Sequence, residues 1–393
     1  MRGNFVFASE SVTDGHPDKL CDQISDAIVD RFLTEDPLAQ VSAECAAASG
    51  ILFLAVRFAS FARPDIGAAA RGVIAQVGYE ERSFNPRDCT IIANIREMPL
   101  SVRIAEDEDA ILSLRAKHHG TLFGYACTQS PGMIPIPIWL AHRLALTLSQ
   151  ARRQISYLLP DGQVQVGVEY QGGKPKRIQA ITLIASQKEE GQPKEGTLTE
   201  DLMDKVVAQV FKDEMISPDP RTHIHINPEG PVVGGGPALH AGLTGRKTGI
   251  DTYGEYSRHS GTALSGKDPQ RIDRIGAYMA RLAAKTVVAA GLAEECDVAL
   301  TYTIGEAAPV SVQANTFGTG AVSDDKIAQA LREIFDFRLG AIIRDLRLRR
   351  LPMEKGGSFY RDLAVFGHMG RVELDAPWEQ VHKTEALTKL LNI

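Results

Sequence analysis

The sequence has 393 residues, of which 44% are hydrophobic and 23% are charged, and its formal net charge is −6. These values are ordinary for a globular protein with two or three subdomains, and the modest charge disfavours a nucleic-acid-binding role. The N-terminus lacks a signal-peptide pattern and no apolar run approaches the roughly 18 residues of a membrane span, so we predict a cytoplasmic protein without membrane contact.

The five cysteines are odd in number and widely spaced, and none belongs to a C-x-x-C pair. This pattern argues against a disulfide framework and against a zinc site. We therefore expect buried thiols.

The first predicted helix, residues 19–33, has apolar side chains every four residues and so one buried face. It is preceded by His16, Pro17 and Asp18, with Lys19 in the same turn. A proline at the first helical position leaves the helix N-terminus open to an anion. We predict that His16 and Lys19 face a polyphosphate while Asp18 binds the accompanying magnesium ion. The alternative is an ordinary capped surface helix.

Strand pairs and helices interleave along the rest of the chain. Alternating apolar residues predict hairpins at 41–60, 163–186 and 297–313. A period near 3.6 predicts further helices at 66–78, 200–215, 268–291 and 324–336. This order favours an α+β fold in which helices pack on mixed or antiparallel sheets.

Two polar stretches predict loops. Residues 187–196 are typical of a surface loop, and residues 96–120, with four acids at 106–109, are predicted to form a mobile loop or lid.

Residues 234–274 are rich in glycine and in cations, namely Arg246, Lys247, Arg258, Lys267, Arg271 and Arg274. Lys267 is followed by Asp268, so the segment is not a Walker A motif. Glycines that admit a ligand close to the backbone, together with separated lysines, are typical of a polyphosphate cradle. A loop with solvated charges is the alternative.

The motifs GHPDK, LTGRK, DTYG and SGKDP occur in an order that resembles the S-adenosylmethionine synthetases (methionine adenosyltransferases), and the resemblance covers essentially the whole chain. It implies three similar α+β subdomains around a pseudo-threefold axis, here placed at about 1–125, 126–235 and 236–393 with some interleaving. It also implies dimers, or dimers of dimers, with active sites at the subunit interface. The implied reaction is displacement at C5′ of ATP by the sulfur of methionine, followed by cleavage of the released triphosphate to pyrophosphate and phosphate. Because the triphosphate leaving group is highly charged, its departure requires cationic groups that are in position before the reaction.

The resemblance implies roles for individual residues. His16 is implied to assist departure of the triphosphate, and the implied phosphate-binding cations are Arg246, Lys247 and Lys267. The implied metal ligands are Asp18 and Asp273 for magnesium and Glu44 for potassium. The implied nucleotide contacts are Asp161, at the ribose, and Ala263. Two further nucleotide positions are altered: Gln163 replaces a lysine of the family, and Val232 replaces a phenylalanine that stacks on adenine.

The resemblance fails at the acceptor end. Arg57 replaces the methionine-binding glutamate, and His240 replaces an aspartate that meets both methionine and adenosine. His118 replaces the aspartate of G-A-G-D-Q-G, whereas Arg271 keeps the charge of a lysine that faces the methionine carboxylate. Losing two charge-assisted hydrogen bonds costs roughly 3–6 kcal/mol, or about 10²- to 10⁴-fold in affinity. We therefore predict an acceptor that carries extra negative charge or lacks a free ammonium.

Three hypotheses follow: an adenosyltransferase with an altered acceptor, a non-catalytic nucleotide-binding or regulatory paralogue, and a divergent but ordinary methionine adenosyltransferase. The leaving-group apparatus of His16, Asp18, Lys267 and Asp273 favours the first over the second. A transition-metal site among His118, His119, His223, His225 and His240 is a weaker alternative.

Overall fold

The computed structural model describes residues 3–100 and 108–393. Its strands are β1 (Phe5–Val12), β2 (Gln40–Ala48), β3 (Ile51–Ala59), β4 (Thr90–Glu97), β5 (Gly120–Cys127), β6 (Leu158–Gln171), β7 (Lys174–Gln187), β8 (His223–Ile226), β9 (Val232–Val233), β10 (Gly242–Leu243), β11 (Glu295–Tyr302) and β12 (Ser311–Asn315). Its α-helices are α1 (Pro17–Glu35), α2 (Ile66–Val77), α3 (Glu108–Leu112), α4 (Ile136–Ala151), α5 (Thr197–Leu202), α6 (Ala208–Val210), α7 (Thr248–Asp251), α8 (Ile272–Ala289), α9 (Asp324–Ile334), α10 (Leu339–Asp345), α11 (Leu351–Glu354), α12 (Phe359–Leu363) and α13 (Thr384–Leu391). A π-helix spans Met203–Val207, and 3₁₀ turns span Gly236–Ala238, Val372–Leu374 and Pro377–Glu379.

Three sheets each carry one long helix. Helix α4 packs on β1 and β6 of the sheet β1-β6-β7-β8, in which β9 also pairs with β7. Helix α1 packs on the sheet β10-β2-β3-β4, and α8 packs on the sheet β12-β11-β5. The predicted α+β fold of helices on mixed and antiparallel sheets is thereby confirmed. The first sheet joins β1 to β6 from much later in the chain, and the division at residues 125 and 235 stays a prediction.

The predicted hairpins are observed as the antiparallel pairs β2–β3, β6–β7 and β11–β12. The predicted helix at 268–291 begins only at Ile272. The carboxylate of Asp268 accepts from Val41 N at 2.9 Å and from Gln270 N at 2.7 Å, which holds residues 268–271 in a loop against β2. Helix α4 was not predicted, because apolar residues occur on all its sides and leave no clear period.

The predicted lid at 96–120 is only partly described. Its start belongs to β4, residues 108–112 form α3, and residues 101–107 lie outside the described residues. The predicted helix at 200–215 is observed as α5, the π-helix and α6, and it ends at Val210.

Helix α1 is buried on nearly every side, whereas the sequence predicted one buried face. Its second buried face carries carboxylates at every fourth position, and each accepts a hydrogen bond from a backbone N–H group far away in the sequence. Asp22 accepts from Gly245 N at 2.8 Å, Asp26 from Gly266 N at 2.8 Å, and Asp30 from Tyr360 N at 3.0 Å. Because Gly245 and Gly266 belong to the LTGRK and SGKDP motifs, α1 positions both cation-bearing loops.

The ion pair of Asp26 with Arg274 lies at the centre of this arrangement, and both side chains are fully buried. We expect Asp26→Ala to lower the free energy of unfolding by about 3–5 kcal/mol, because it leaves a buried guanidinium without its counter-ion. Urea denaturation checks this, with Lys174→Ala as control, whose ion pair with Glu294 is 73% and 59% exposed and should contribute about 0–1 kcal/mol. Equal losses in the two variants would contradict the prediction.

No helix in the described part is long and apolar enough to cross a bilayer. All five cysteines, which lie within the described ranges, are free and buried, as expected from their spacing.

Candidate active site

The turn before α1 fixes the position of His16. Tyr79 donates its hydroxyl hydrogen bond to the carbonyl of Gly15. A side chain at Gly15 would come within 2.3 Å of Pro160, so only glycine fits there. His16 is the N-cap residue, and its Nδ1 accepts from Asp18 N at 3.2 Å. The neutral ring therefore carries its proton on Nε2.

Burial lowers the pKa of His16 to about 4. The side chain is consequently neutral at physiological pH, and its Nε2–H is a hydrogen-bond donor. A neutral donor at a helix N-terminus is suited to an oxygen that gains negative charge during a reaction.

Asp161 and His240 lie next to His16. Asp161 Oδ2 accepts from Gly236 N at 2.8 Å and is 2.6 Å from His240 Nε2. The rings of His16 and His240 are 5.2 Å apart at 69°. Asp161 Oδ1 is buried and has no hydrogen-bond partner within the described residues, so it is an open acceptor for a ligand hydroxyl.

His16, Asp161 and His240 also have ligand-type atoms within 4.8 Å of one another, a spacing that a metal ion could use. Two of these residues already use their ring nitrogens otherwise, because Nδ1 of His16 accepts a backbone N–H and His240 pairs with Asp161. A metal on Nε2 of His16 would have to displace its proton. The group is therefore best described as a hydrogen-bonded cluster, which we call the His16 cluster.

The LTGRK loop returns to the first turn of α1. Asp18 Oδ1 accepts from Leu243 N at 3.0 Å and lies 3.5 Å from Arg246 Nη1. Lys247 Nζ is 2.8 Å from Glu10 Oε1. The Arg246 side chain is 54% exposed, so its guanidinium has room to turn toward a ligand. Arg246 and Lys247 therefore border the His16 cluster.

Lys19 does not belong to this cluster, and the prediction that it faces a polyphosphate is wrong. Its Nζ is fully buried between Asp22, at 2.8 Å, and Asp251. Residues three apart on a helix share a face, so Lys19 points to the interior with Asp22. These two carboxylates raise the pKa of Lys19 despite burial, which by itself lowers it.

A second group, the Lys267 cluster, consists of Lys267, Asp273 and His118. Asp273 Oδ2 lies 3.1 Å from Lys267 Nζ and 2.9 Å from His118 Nε2. Burial alone would raise the pKa of Asp273, but the Lys267 ammonium beside it brings the pKa below its usual value. Burial lowers the pKa of Lys267. Arg271 is the N-cap residue of α8, the helix whose first turn carries Asp273. The buried Nε of Arg271 has no partner in the part of the chain that is described.

The two clusters lie beside different turns of α1. Asp18, in the first turn, contacts His16, whereas Asp26, in the middle of the helix, accepts from Gly266, the neighbour of Lys267. Eight helical residues span about 12 Å. One chain therefore presents two separate clusters, which we call candidate half-sites, and one predicted magnesium ligand lies at each.

The other predicted site residues flank the half-sites. Arg57 and Glu44 are exposed on the sheet β10-β2-β3-β4, and Arg57 pairs in register with Ser42, which bridges to Lys267. Gln163 is exposed on β6 two residues after Asp161, and Val232 opens β9, four residues before Gly236. The space beside Gly245 is filled by Ala263, since a side chain on Gly245 would come within 2.4 Å of it.

Several positioning residues were not predicted. The spacing of Asp18, Asp22, Asp26 and Asp30 by four was a visible signal for a carboxylate-lined helix face. Asp251 opens the DTYG motif, but neither its contact with Lys19 nor the contact of Tyr79 with Gly15 could be predicted, because each forms only through the tertiary fold.

The contact of His240 with Asp161 makes a pH-dependent contribution to stability. The hydrogen bond to Asp161 raises the pKa of His240 above 6.5. The contribution is therefore complete below the unfolded-state value near 6.5 and is lost as the pH rises through the folded-state value. We expect the difference in Tm between the wild type and His240→Gln to be largest below pH 6.5 and to shrink above it. His225→Gln, at an exposed histidine, is the control, and a difference that grows with pH would contradict the assignment.

Comparisons with known proteins identify related sequences over nearly the whole chain. Three family profiles match consecutive segments: S-adenosylmethionine synthetase N-terminal domain at residues 4–99, central domain at 113–232 and C-terminal domain at 234–380. The chain is 43% identical over 407 residues to the S-adenosylmethionine synthase of Synechococcus elongatus, covering 98% of both chains. It is 43% identical to that of Synechocystis sp., covering 98% of this chain and 95% of the relative, and 42% identical to that of Trichodesmium erythraeum, covering 98% and 97%.

Proposed function

The chain belongs to the S-adenosylmethionine synthetase family, and on that premise we propose that it transfers the adenosyl group of ATP to a small acceptor other than ordinary methionine. The family makes it an ATP-dependent adenosyltransferase. The observation that carries the proposal is that a buried, neutral His16 donor remains beside Arg246, while acceptor positions hold Arg57, His118 and His240.

In the proposed reaction a nucleophile on the acceptor attacks C5′ of ATP. The new bond to C5′ forms as the C5′–O5′ bond breaks, and the triphosphate leaves with the electron pair. His16 Nε2–H donates to the departing oxygen, and Arg246, Lys247 and Lys267 hold the phosphates. Donors in place before the charge develops need no reorganisation during the step. Asp161 Oδ1 accepts from a ribose hydroxyl.

The proposed metal ligands suit hard cations. Asp18 and Asp273 are buried carboxylates, each placed beside cationic side chains that the proposal gives to the phosphates. Oxygen ligands of this kind favour Mg²⁺, which when bound supplies positive charge to phosphate oxygens. Glu44 is the proposed potassium ligand and supplies one exposed carboxylate, so other oxygens would have to complete that site.

We propose that two copies complete each site. Asp18 and Asp26, which mark the two half-sites on α1, are about 12 Å apart along the helix. A complete site would form if the His16 cluster of one copy met the Lys267 cluster of the other. The open face of the sheet β10-β2-β3-β4 supports this, because Phe53 and Ile92 are cross-strand neighbours there and are 49% and 50% exposed. Exposed apolar patches of this kind mark protein interfaces.

We therefore expect a dimer or larger assembly at micromolar concentration by light scattering. Phe53→Asp should shift the protein toward monomer and lower activity in parallel, because it places a charge in the proposed interface. Val310→Asp, at a residue 61% exposed elsewhere, is the control. A fully active monomer would contradict the proposal.

The acceptor is the part on which the proposal departs from the relatives. Methionine is favoured by the names of the cyanobacterial proteins, all S-adenosylmethionine synthases at 42–43% identity. Arg57, His118 and His240, which are cationic or neutral side chains at acceptor positions, instead disfavour a methionine ammonium. The free buried cysteines also support a reducing compartment such as the cytoplasm.

Cleavage of added tripolyphosphate tests the ATP-handling half of the proposal without any acceptor. We expect magnesium-dependent formation of pyrophosphate and phosphate, followed by ³¹P NMR, and its loss in Asp273→Asn. A protein that neither cleaves tripolyphosphate nor consumes ATP would instead be the non-catalytic paralogue. S-adenosylmethionine made from micromolar methionine would favour the ordinary methionine adenosyltransferase.

A further inference from the structure

We propose that Arg57 and Arg96, assisted by Arg271, bind a doubly negative group of the acceptor, such as a phosphonate. This inference rests on the proposed function and names the chemical class of its unidentified substrate. We call these three arginines the arginine site.

Arg57 and Arg96 are direct neighbours on adjacent strands. The parallel register of β3 and β4 pairs Arg57 with Arg96, and both side chains are exposed. Adjacent strands are about 4.8 Å apart, and like charges held close together repel one another. Neither guanidinium has a hydrogen-bond or ion-pair partner among residues 3–100 and 108–393. A bound anion would offset this repulsion.

The arginine pair continues a row that starts at the Lys267 cluster. Lys267 bridges to Ser42 on β2, and Ser42 pairs with Arg57 on β3. The backbone of Arg57 is thus two strand spacings, about 10 Å, from that of Lys267. The row starts at Lys267, which is proposed to hold the triphosphate, and crosses the sheet to Arg57. The family resemblance implies that Arg57 occupies the position that holds the acceptor's ammonium in related enzymes.

Arg271 lies at the Lys267 end of the row. Its neighbour Gln270 accepts from Gln40 Nε2 at 3.0 Å, which places it beside the start of β2. The buried Nε of Arg271 has no partner within the described residues. An unpaired buried donor of this kind carries a free-energy penalty until a ligand accepts its hydrogen bond.

The carboxylates near the row do not neutralise it. Asp273 is already shared by Lys267 and His118. Glu44 is on the same strand face as Ser42, but no ion pair joins it to Arg57 or Arg96 in the described part of the chain. Asp268 is the carboxylate that interacts electrostatically with Arg271, whereas Arg57 and Arg96 have no acidic partner among the described residues. The positive charge of this row therefore exceeds what one carboxylate of a ligand needs. Arginine forks match phosphonate and phosphate oxygens in pairs.

The test measures binding, so that it does not depend on turnover. Calorimetry in the presence of magnesium and a non-hydrolysable ATP analogue compares three probes: 2-(methylthio)ethylphosphonate, 3-(methylthio)propionate and methionine. We expect the phosphonate to bind most tightly and methionine least. Arg57→Gln and Arg96→Gln should each weaken phosphonate binding at least about tenfold, the effect of one charge-assisted hydrogen bond. They should leave the affinity for the ATP analogue unchanged.

Arg221→Gln is the matched control, because Arg221 is 76% exposed and distant in sequence from the row. Weaker binding of the ATP analogue in Arg57→Gln would assign the row to the triphosphate and overturn the inference. Weaker dimers with unchanged phosphonate binding would assign it to a partner carboxylate and overturn it equally. Tighter binding of methionine than of phosphonate would also overturn it. A different result would show that the proposed function itself is wrong: a wild-type protein that does not cleave tripolyphosphate.

Discussion

Replacing His16 by alanine is expected to lower ATP consumption by about 10²- to 10³-fold, the scale observed when one donor to a developing negative charge is removed. The physical reason is the position of the ring. Its Nδ1 is fixed by Asp18 N, its pKa of about 4 keeps it neutral, and Nε2–H remains the donor. Lys267→Ala should lower the rate by at least 10²-fold, since it removes a partly buried ammonium from the proposed phosphate site.

The measurement is the initial rate of ATP loss with magnesium and an acceptor that the wild type uses. It is compared with the rate of tripolyphosphate cleavage by the same variants. His16→Ala should reduce adenosyl transfer far more than cleavage, because the histidine is assigned to the C5′–O5′ bond. Lys267→Ala should reduce both. His225→Ala, at an exposed histidine of β8, is the control. Undiminished ATP consumption in His16→Ala would show that the proposed leaving-group step does not operate.

The double variant Arg57→Glu with His240→Asp is expected to gain methionine-dependent adenosyl transfer and to lose transfer to an anionic acceptor. Two charge-assisted hydrogen bonds to the methionine ammonium are worth roughly 3–6 kcal/mol, so the gain in methionine affinity should be about 10²- to 10⁴-fold. Removing Arg57 also removes one cation from the arginine site.

Steady-state kinetics with methionine and with the phosphonate probe check this result. The control carries the same charge changes at exposed positions away from both clusters, Arg221→Glu with His225→Asp. If the double variant changes neither activity, the altered acceptor positions are compensated elsewhere and the prediction is wrong.

The sequence predicted the fold and much of the local chemistry, because both depend on short-range patterns. Pro17 was expected at the first helical position and is observed there. The interior position of Lys19 was not predicted, since Asp251, one of its two partners, is more than 200 residues away.

Contacts between loops that are far apart in the chain could not be predicted from the sequence either. Nothing in the spacing indicated that His118 would meet Asp273, or that His240 would pair with Asp161. The separation of the two clusters along α1 depends on which carboxylate of the helix receives each loop, and that is fixed only by tertiary packing.

The most direct test of the altered acceptor is the identity of the adenosyl product. Purified protein is incubated with ATP, magnesium and equal concentrations of methionine and 2-(methylthio)ethylphosphonate, and every adenosyl sulfonium is identified by mass spectrometry. We predict that the phosphonate sulfonium dominates and that S-adenosylmethionine is a minor product. S-adenosylmethionine as the dominant product, formed at micromolar methionine, would contradict the account and make the chain an ordinary methionine adenosyltransferase.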